Sequence, residues 1–360
     1  MRETIDSMEH RQFVNRRVCA FKIATGTSDV AENVLVKVVS GDEYGIGNAS
    51  PSDVTHETLE SIEAYLAKAK KKIVGTEEDD LSKLHKRLDA VGYDNTAAKA
   101  AVDMAVYDLL SKREKKPLHQ YLGGSGRTRM LTDMTIGIES KELTVRKALQ
   151  HYKLGFRALK LKVGLDFAGD VKRVAAVRDA VGPKVELRVD ANQGYSVERA
   201  IEFSEEMRSL GVVLIEQPVK ADDYAGLKKV TEKSPVPIMA DECVRSFADA
   251  KRVVKERAVR LINIKLMKSA GIHDALAINE LAKGAGIGTM VGCMGEIQVS
   301  IAAGLHFALS SENVRYVDLD SHFNIIDDPS SGLRFEDGFL VAPDKPGLGI
   351  STPLDVSPRT

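Results

Sequence analysis

From residue 129 onward the sequence repeats one pattern: a short apolar segment, a loop and an amphipathic helical segment. Strands that alternate with helices form a parallel sheet, and eight of them favour a closed barrel over an open sheet. The pattern therefore predicts an α/β fold with a (β/α)8-type TIM barrel. The eight predicted strands are MLTDMTIG (130–137), FRALKLKV (156–163), VELRVD (185–190), VVLIEQ (212–217), PIMAD (237–241), VRLINIK (259–265), GTMVG (288–292) and VRYVDLD (314–320).

The first 124 residues have a different texture and predict an α+β domain. ENVLVKVVSGDEYGIGNASP (32–51) contains an alternating apolar run followed by turn residues, which is typical of strands. Two helical patterns follow, at 56–75 and at 95–118, and the second carries an Ala-rich apolar stripe. The Gly-rich YLGGSGRT (121–128) interrupts the pattern. We therefore place a domain boundary after residue 124.

Composition excludes several classes of protein. The formal net charge is −1, so there is no basic excess for nucleic acid or for an anionic membrane surface. No apolar run approaches the length of a membrane span, and the N-terminus lacks the apolar core of a signal peptide. The three cysteines are scattered and form no CxxC pair, which favours a reduced, cytoplasmic setting. Neither a dinucleotide-binding GxGxxG after a strand nor a P-loop is present.

Polar residues recur at the ends of the predicted strands, and most are separated by 24 to 28 residues, about the length of one βα unit. Equivalent positions in successive units lie at the same height, on the C-terminal rim where barrel enzymes carry out their chemistry. The residues between them agree with this arrangement, because the outward positions Val189, Ile215, Ala240 and Ile264 are apolar. The series comprises Lys162, Asp190, Glu216, Asp241, Lys265 and Asp318.

Three of these residues predict a metal site. Asp190, Glu216 and Asp241 come from three consecutive strands, and together they offer only oxygen ligands. Such a set suits a hard divalent cation, Mg²⁺ before Ca²⁺ or Zn²⁺. The alternative is that the three carboxylates form salt bridges with nearby lysines and bind no metal.

The lysines predict proton transfer next to this site. Lys160 and Lys162 are two residues apart and share one face of a strand, whereas Lys265 lies across the barrel. A substrate carboxylate held on Mg²⁺ would have its α-carbon flanked by Lys162 and Lys265, one on each face. Removal of the α-proton gives an enediolate, which the metal and the lysines stabilise, and reprotonation on the other face inverts the carbon. We expect Lys160 to support Lys162 by lowering its pKa.

Lys268 is the alternative to Lys265 as the second base. Lys265 matches the strand-end spacing and shares its inward face with Asn263, whereas Lys268 falls in the following loop. Spacing and parity favour Lys265.

The motifs KLK (160–162), VDANQ (189–193), IEQP (215–218), ADE (240–242) and NIKLMKSAGI (263–272) resemble, in order, those of the enolase superfamily. The resemblance is to its muconate-lactonizing-enzyme-like subgroup, because GCMGE (292–296) has no histidine where the mandelate-racemase-like branch carries one. It implies an N-terminal α+β capping domain (1–124), a modified barrel with a Mg²⁺ site (125–324) and a C-terminal segment (325–360) that returns to the cap.

Within this subgroup VDLD (317–320) resembles the motif of dipeptide epimerases. Asp318 and Asp320 share a face at the end of the eighth strand and suit the free ammonium group of a dipeptide; the alternative is an ordinary acidic strand end. Thr135 on the first strand is a further candidate for hydrogen bonding to the substrate. The predicted activity is inversion of the α-carbon of the C-terminal residue of an L,L-dipeptide.

Two other functions stay open on the sequence. The same machinery serves o-succinylbenzoate synthases, N-acylamino-acid racemases and cycloisomerases, whose substrates lack a free α-ammonium group. A metal-stabilised barrel with a binding or scaffold role is the non-catalytic alternative. We expect cap loops near residues 20–30 and 46–56 to set specificity, with Asp29, Asp53 and Glu296 as acidic candidates that suit a cationic or neutral second residue. A homo-oligomer is expected for a barrel of this kind.

Overall fold

The structure is a computed structural model that describes residues 3–23, 26–124 and 126–354, without the side chains of residues 19–27. Its N-terminal part is an antiparallel sheet with strand order β1-β2-β3, followed by helices. The strands are β1 (Ser7–Ile23), β2 (Gly26–Ser40) and β3 (Glu43–Ala49). The helices are α1 (Leu59–Ile73), α2 (Leu81–Asp89), α3 (Thr96–Arg113) and the short α4 (Leu118–Tyr121). An α+β arrangement was predicted and is observed.

Helix α3 packs directly on this sheet, and glycine makes the close approach possible. A Cβ atom on Gly45 would lie 1.8 Å from the carbonyl oxygen of Ala105, and one on Gly47 would lie 2.0 Å from that of Ala101. The Ala-rich stripe of α3 and the two glycines of β3 are therefore matched surfaces. At the start of α3 the buried carboxylate of Glu57 accepts hydrogen bonds from the backbone N–H groups of Ala97 and Ala98, which fixes the loop that precedes the helix.

The rest of the described chain forms an eight-stranded parallel sheet from β5 to β12 in sequence order, with one helix between each pair of strands. The strands, preceded by β4 (Arg129–Leu131), are β5 (Asp133–Ile136), β6 (Ala158–Lys162), β7 (Glu186–Asp190), β8 (Val212–Glu216), β9 (Ile238–Ala240), β10 (Leu261–Lys265), β11 (Gly288–Gly292) and β12 (Val314–Asp318). The helices are α5 (Lys141–Lys153), α6 (Phe167–Val181), α7 (Val197–Ser209), α8 (Tyr224–Lys233), α9 (Phe247–Glu256), α10 (Ile272–Gly284) and α11 (Gln298–Leu309).

The two ends of this sheet meet around Thr132, so the sheet is a barrel. Thr132 forms a parallel bridge with Val317 of β12, and its hydroxyl accepts a hydrogen bond from the N–H of Leu319. The prediction of one strand over residues 130–137 is wrong in this detail. The chain stays extended but changes partners at Thr132, since β4 pairs with a C-terminal strand while β5 pairs with β6.

The inward and outward faces of the barrel strands follow the predicted alternation. The outward residues Val189, Ile215, Ala240 and Ile264 belong to the main hydrophobic core, whereas four inward residues form a separate cluster inside the barrel. That inner cluster consists of Leu214, Met239, Leu261 and Met290. Arg188 is buried beside it, where it bonds to the carboxylate of Asp133 at 2.9 Å and to the carbonyl of Val317 at 2.7 Å. The barrel is therefore packed at its centre, and its polar residues are concentrated at one rim.

After β12 the chain passes through a 3₁₀ helix (Ser321–Asn324) into β13 (Arg334–Glu336) and β14 (Phe339–Val341), which form a small sheet with β4. The C-terminal segment then contacts the N-terminal part, because Lys37 donates to the carbonyl of Leu354 and the N–H of Leu348 donates to Asp108. The domain boundaries at residues 124 and 324 stay a prediction. No helix in the described part of the chain is both long and apolar enough to cross a bilayer.

Candidate active site

A cavity of about 710 Å³ lies at the C-terminal ends of the barrel strands and is covered by the N-terminal part of the chain. The barrel contributes the ends of β5, β6, β10 and β12 and the loops after β7, β9 and β11. The N-terminal part contributes residues of β1, β2 and the loop after β3, among them Arg17, Glu32, Asp53 and His56. Of the predicted strand-end residues, Lys162, Asp241, Lys265 and Asp318 line this cavity.

Asp190, Glu216 and Asp241 are brought together as predicted. One carboxylate oxygen of each lies within 4.8 Å of the others, and no side chain of the three is more than 3 % exposed. Burial, and then the charge of Asp190, raises the pKa of Glu216 to about 8. Three buried carboxylates at this spacing repel one another unless a cation compensates them, and their oxygens are the donors that Mg²⁺ prefers. The set therefore fits a hard divalent cation.

Two lysines flank this trio from opposite sides. Lys162 at the end of β6 has its Nζ 2.6 Å from Asp190, and Lys265 at the end of β10 has its Nζ 2.8 Å from Asp241. Strands β6 and β10 are four places apart in a barrel of eight strands, which puts them across the barrel from each other. Both lysines line the cavity. A small molecule held between them has one ammonium group on each side.

Lys160 has more carboxylate partners than expected. Its Nζ lies 2.7 Å from Asp318, 2.7 Å from Glu216 and 3.2 Å from Asp190. Burial opposes its charge, but these carboxylates outweigh burial and raise the pKa of Lys160 well above its ordinary value. Its charge is therefore compensated at close range. We infer that Lys160 holds the carboxylates together, in addition to any effect on Lys162.

Lys268 and Lys265 both bind Asp241, but only Lys265 reaches the cavity. The Nζ of Lys268 lies 2.5 Å from the Asp241 carboxylate and also donates to the carbonyls of Asp241 and Asn263. Its side chain is 1 % exposed. For Lys265, burial opposes the charge, but Asp241 and Glu216 outweigh burial and raise its pKa. The geometry favours Lys265 as the group that meets a substrate and leaves Lys268 to orient Asp241.

Asp318, Asp320 and Thr135 meet where the last and first barrel strands adjoin. The N–H of Thr135 donates to Asp320 at 2.6 Å, and its hydroxyl lies 3.5 Å from Asp318. Cys293, at the end of β11, places its Sγ 3.7 Å from Asp320. Burial, and then the charge of Asp318, raises the pKa of Asp320. This acidic corner of the cavity is suited to a cationic group, and Thr135 orients both aspartates there.

The expectations for specificity residues are met only in part. Asp53 lines the cavity, whereas Asp29 and Glu296 are not among the residues described along its wall. Residues 24 and 25 of the first loop lie outside the described residues. Arg17 was not predicted as a site residue; its Nη2 lies 2.8 Å from where a Cβ atom on Gly295 would be. Because Gly295 has no side chain, the guanidinium group of Arg17 fits beside it at the cavity wall.

The fold and the site define a class of enzyme: a capped barrel with an oxygen-rich cation site between two opposed lysines. Residues 144–356 match the family described as enolase C-terminal domain-like, and residues 8–123 match the mandelate racemase / muconate lactonizing enzyme N-terminal domain. The chain belongs to this family, in the muconate-lactonizing-enzyme-like subgroup of the enolase superfamily.

Individual relatives are similar over nearly their whole length. The chain is 41% identical to an L-Ala-D/L-Glu epimerase of Clostridium acetobutylicum, with 92% of this chain and 94% of the relative covered. It is 38% identical to a hydrophobic dipeptide epimerase of Enterococcus faecalis, with 92% and 95% covered. A solved structure of dipeptide epimerase from Enterococcus faecalis V583, complexed with Mg and the dipeptide L-Leu-L-Tyr, superimposes with a TM-score of 0.94 at 36% identity and covers 97% of this chain and 99% of that one.

Proposed function

We propose that the protein is a Mg²⁺-dependent dipeptide epimerase, an isomerase that inverts the α-carbon of the C-terminal residue of an L,L-dipeptide. One observation carries the proposal: Lys162 and Lys265 line one cavity from opposite sides of the barrel, beside three converging carboxylates. The relatives named as epimerases, and the one solved with Mg and a dipeptide, support it.

Asp190, Glu216 and Asp241 are the residues that would hold Mg²⁺. The ion, when bound, would supply a positive charge that makes the α-proton of a substrate carboxylate more acidic. The carboxylate of Asp241 raises the pKa of Lys265, so a cation shared by Asp241 would weaken that effect and make Lys265 a better base.

The two lysines exchange roles in a two-base 1,1-proton transfer. One neutral lysine removes the α-proton on its face of the substrate, and the enediolate of the substrate forms. The opposite lysine, in its ammonium form, donates a proton to the other face, so the configuration is inverted. Lys160 keeps a fixed positive charge among the carboxylates and stabilises the negative charge that develops nearby.

Asp318 and Asp320 are proposed to bind the free ammonium group of the dipeptide, oriented by Thr135. We further propose that the enzyme acts in the cytoplasm, since Cys243 and Cys293 are free thiols, and that it assembles as a homo-oligomer. A small-molecule dipeptide is the expected partner, and we expect neither nucleic acid nor membrane to bind.

Solvent deuterium uptake tests the activity directly. We expect the protein with Mg²⁺ in D₂O to incorporate one deuterium at the α-carbon of the C-terminal residue of suitable L,L-dipeptides and to form the L,D product. Mass spectrometry of a dipeptide library detects the uptake, and chiral analysis detects the inversion. EDTA should abolish both, and added Mg²⁺ should restore them. A full library with no α-deuterium in any member would refute the proposal.

Asp318→Asn separates an epimerase of dipeptides from an enzyme of the same subgroup that acts on an N-acylated substrate. Loss of a buried charge that faces the ammonium group should lower kcat/KM for dipeptides by about 30-fold or more, equivalent to about 2 kcal/mol. The matched control is Glu139→Gln, which removes an acid of the cavity wall that is paired with Lys147 and should leave turnover unchanged. Unchanged turnover of dipeptides by Asp318→Asn, or faster turnover of N-acylamino acids than of dipeptides by the unmodified enzyme, would favour the other activity.

A further inference from the structure

Two buried acceptor atoms in the cavity wall have no hydrogen-bond donor among the described residues. They are Oδ1 of Asn192 and Oε2 of Glu242. Both residues line the cavity, and they are bonded to each other, because Nδ2 of Asn192 donates to Oε1 of Glu242 at 3.0 Å. The bond between them therefore leaves Asn192 Oδ1 and Glu242 Oε2 without a donor. A buried acceptor without a donor costs about 1–3 kcal/mol, so such an atom in a native protein calls for an explanation.

The pair is attached directly to the proposed metal ligands. Asn192 follows Asp190 by two residues, and its N–H donates to the Asp190 carboxylate at 2.9 Å. Glu242 follows Asp241 immediately. The link between Asn192 and Glu242 therefore ties the loop after β7 to the loop after β9. The two acceptors thus belong to residues adjacent to two of the three proposed ligands.

The backbone that presents Asn192 is unusual and firmly held. Asn192 and Gln193 have φ values of +40° and +70°, in the left-handed region that non-glycine residues seldom adopt. In the next loop Gln217 has a φ of +33°. The N–H of Gln193 donates to the carbonyl of Gln217, and the side chain of Gln217 accepts from the N–H of Asp241. Strained conformations that the surrounding bonds maintain are typical of binding sites.

A hydrated cation would supply the missing donors. Mg²⁺ takes six oxygen ligands and usually keeps several of them as water. Water on a divalent cation is a strong hydrogen-bond donor, and it needs acceptors that face the ion. Asn192 and Glu242 offer two such acceptors on the cavity wall beside Asp190 and Asp241.

We infer that Asn192 and Glu242 form an outer-sphere acceptor pair that binds the waters of the divalent cation held by Asp190, Glu216 and Asp241, and so sets the affinity for that cation. The inference rests on the cation site of the proposed function. It makes Glu242 a positioning residue that contacts the hydrated ion and not the substrate.

Mn²⁺ binding to the full chain, in the absence of any dipeptide, tests the inference. Glu242→Gln replaces the acceptor that faces the ion's waters with a donor. The amide oxygen keeps the hydrogen bond from Asn192, and the amide N–H₂ group then faces the waters. We expect the Kd for Mn²⁺ to rise by about 10- to 100-fold, the range seen when outer-sphere partners are removed. The free-ion signal in electron paramagnetic resonance measures the Kd. The matched control is Glu139→Gln, a cavity acid paired with Lys147 after β5, across the barrel from β9.

A readout without metal separates this role from a purely structural one. In EDTA, Glu242→Gln should unfold at the same temperature as the unmodified protein or a higher one, because it removes a charge beside Asp241 and Asp190. Asn192→Gly is the second variant, since glycine accepts the positive φ at that position. It should also weaken Mn²⁺ binding.

Unchanged Mn²⁺ affinity in both Glu242→Gln and Asn192→Gly would overturn the inference. A stoichiometry of two ions that falls to one in Glu242→Gln would also overturn it, since Glu242 would then be a direct ligand of a second ion. The epimerase proposal fails separately. Intact Mn²⁺ binding without α-deuterium uptake from any dipeptide would refute the activity and leave the acceptor pair standing.

Discussion

We expect Lys162→Met and Lys265→Met each to abolish epimerisation. Each variant should still exchange the α-proton on the one face that its remaining lysine reaches. Inversion needs a base on one face and an acid on the other, and a positioned acid or base contributes about 10²- to 10⁴-fold to the rate. The remaining lysine still removes and returns the α-proton on its own face. Each variant should therefore exchange the α-hydrogen of only one epimer with D₂O, without inversion, and the two variants should select opposite epimers. Proton NMR of L,L- and L,D-dipeptides in D₂O measures this.

Two other lysines provide the controls, one on the surface and one beside the site. Lys229→Met removes an exposed lysine that pairs with Glu198 on the outer helices, and it should leave exchange of both epimers unchanged. Lys268→Met should also exchange both epimers, because Lys268 orients Asp241 and does not reach the cavity. If Lys162→Met and Lys265→Met exchanged the same epimer, the two lysines would act on one face and the two-base mechanism would be wrong.

The site could be predicted from the sequence because its residues repeat with the period of the fold. A βα unit of nearly constant length places Asp190, Glu216 and Asp241 at one height, and the two-residue period of a strand points them inward. The same parity separates Lys265 from Lys268, and of the two only Lys265 lines the cavity. Residues set by regular geometry are therefore accessible to sequence reasoning.

Contacts across the barrel were not accessible in this way. Lys160 lies two residues from Lys162 in sequence, yet its partners come from β7, β8 and β12. The buried pairing of Arg188 with Asp133 joins strands that are also distant in the chain. Local periodicity gives the face of a strand on which a residue lies, but it does not give the charges that converge on that face from other strands.

Strand β1 was not predicted because its polarity is reversed. Val14 is 58% exposed, whereas Asn15 is 8% exposed and donates to the carbonyls of Ile326 and Asp327. Part of β1 covers a polar cavity, so Arg17 faces inward while Val18 faces outward. The alternation of apolar and polar residues that predicts a strand is therefore absent from β1, because part of its inner face is polar and lines the cavity. Arg17 was missed for the same reason.

Asp241→Asn is expected to reduce both the affinity for divalent cations and the stability of the metal-free protein. Lys265 and Lys268 are both buried, and both use the Asp241 carboxylate as their ion-pair partner. Removal of one partner from a buried ion pair leaves an uncompensated charge and costs about 3–5 kcal/mol. Glu216 cannot compensate fully, because its carboxylate already pairs with Lys160 at 2.7 Å. We therefore expect a fall of that size in the free energy of unfolding, measured by urea denaturation in EDTA.

A double variant distinguishes this charge effect from a general loss of packing. Lys268→Met removes one of the two cations that Asp241→Asn leaves without a carboxylate, so the double variant should recover part of the lost stability. Mg²⁺ at 100 times its Kd should stabilise the unmodified protein by about 2.7 kcal/mol but should have little effect on Asp241→Asn. If Asp241→Asn were as stable as the unmodified protein in EDTA, the carboxylate would be present for the metal alone. The lysines would then tolerate burial without it, and their charges would have to be compensated by the other carboxylates of the site.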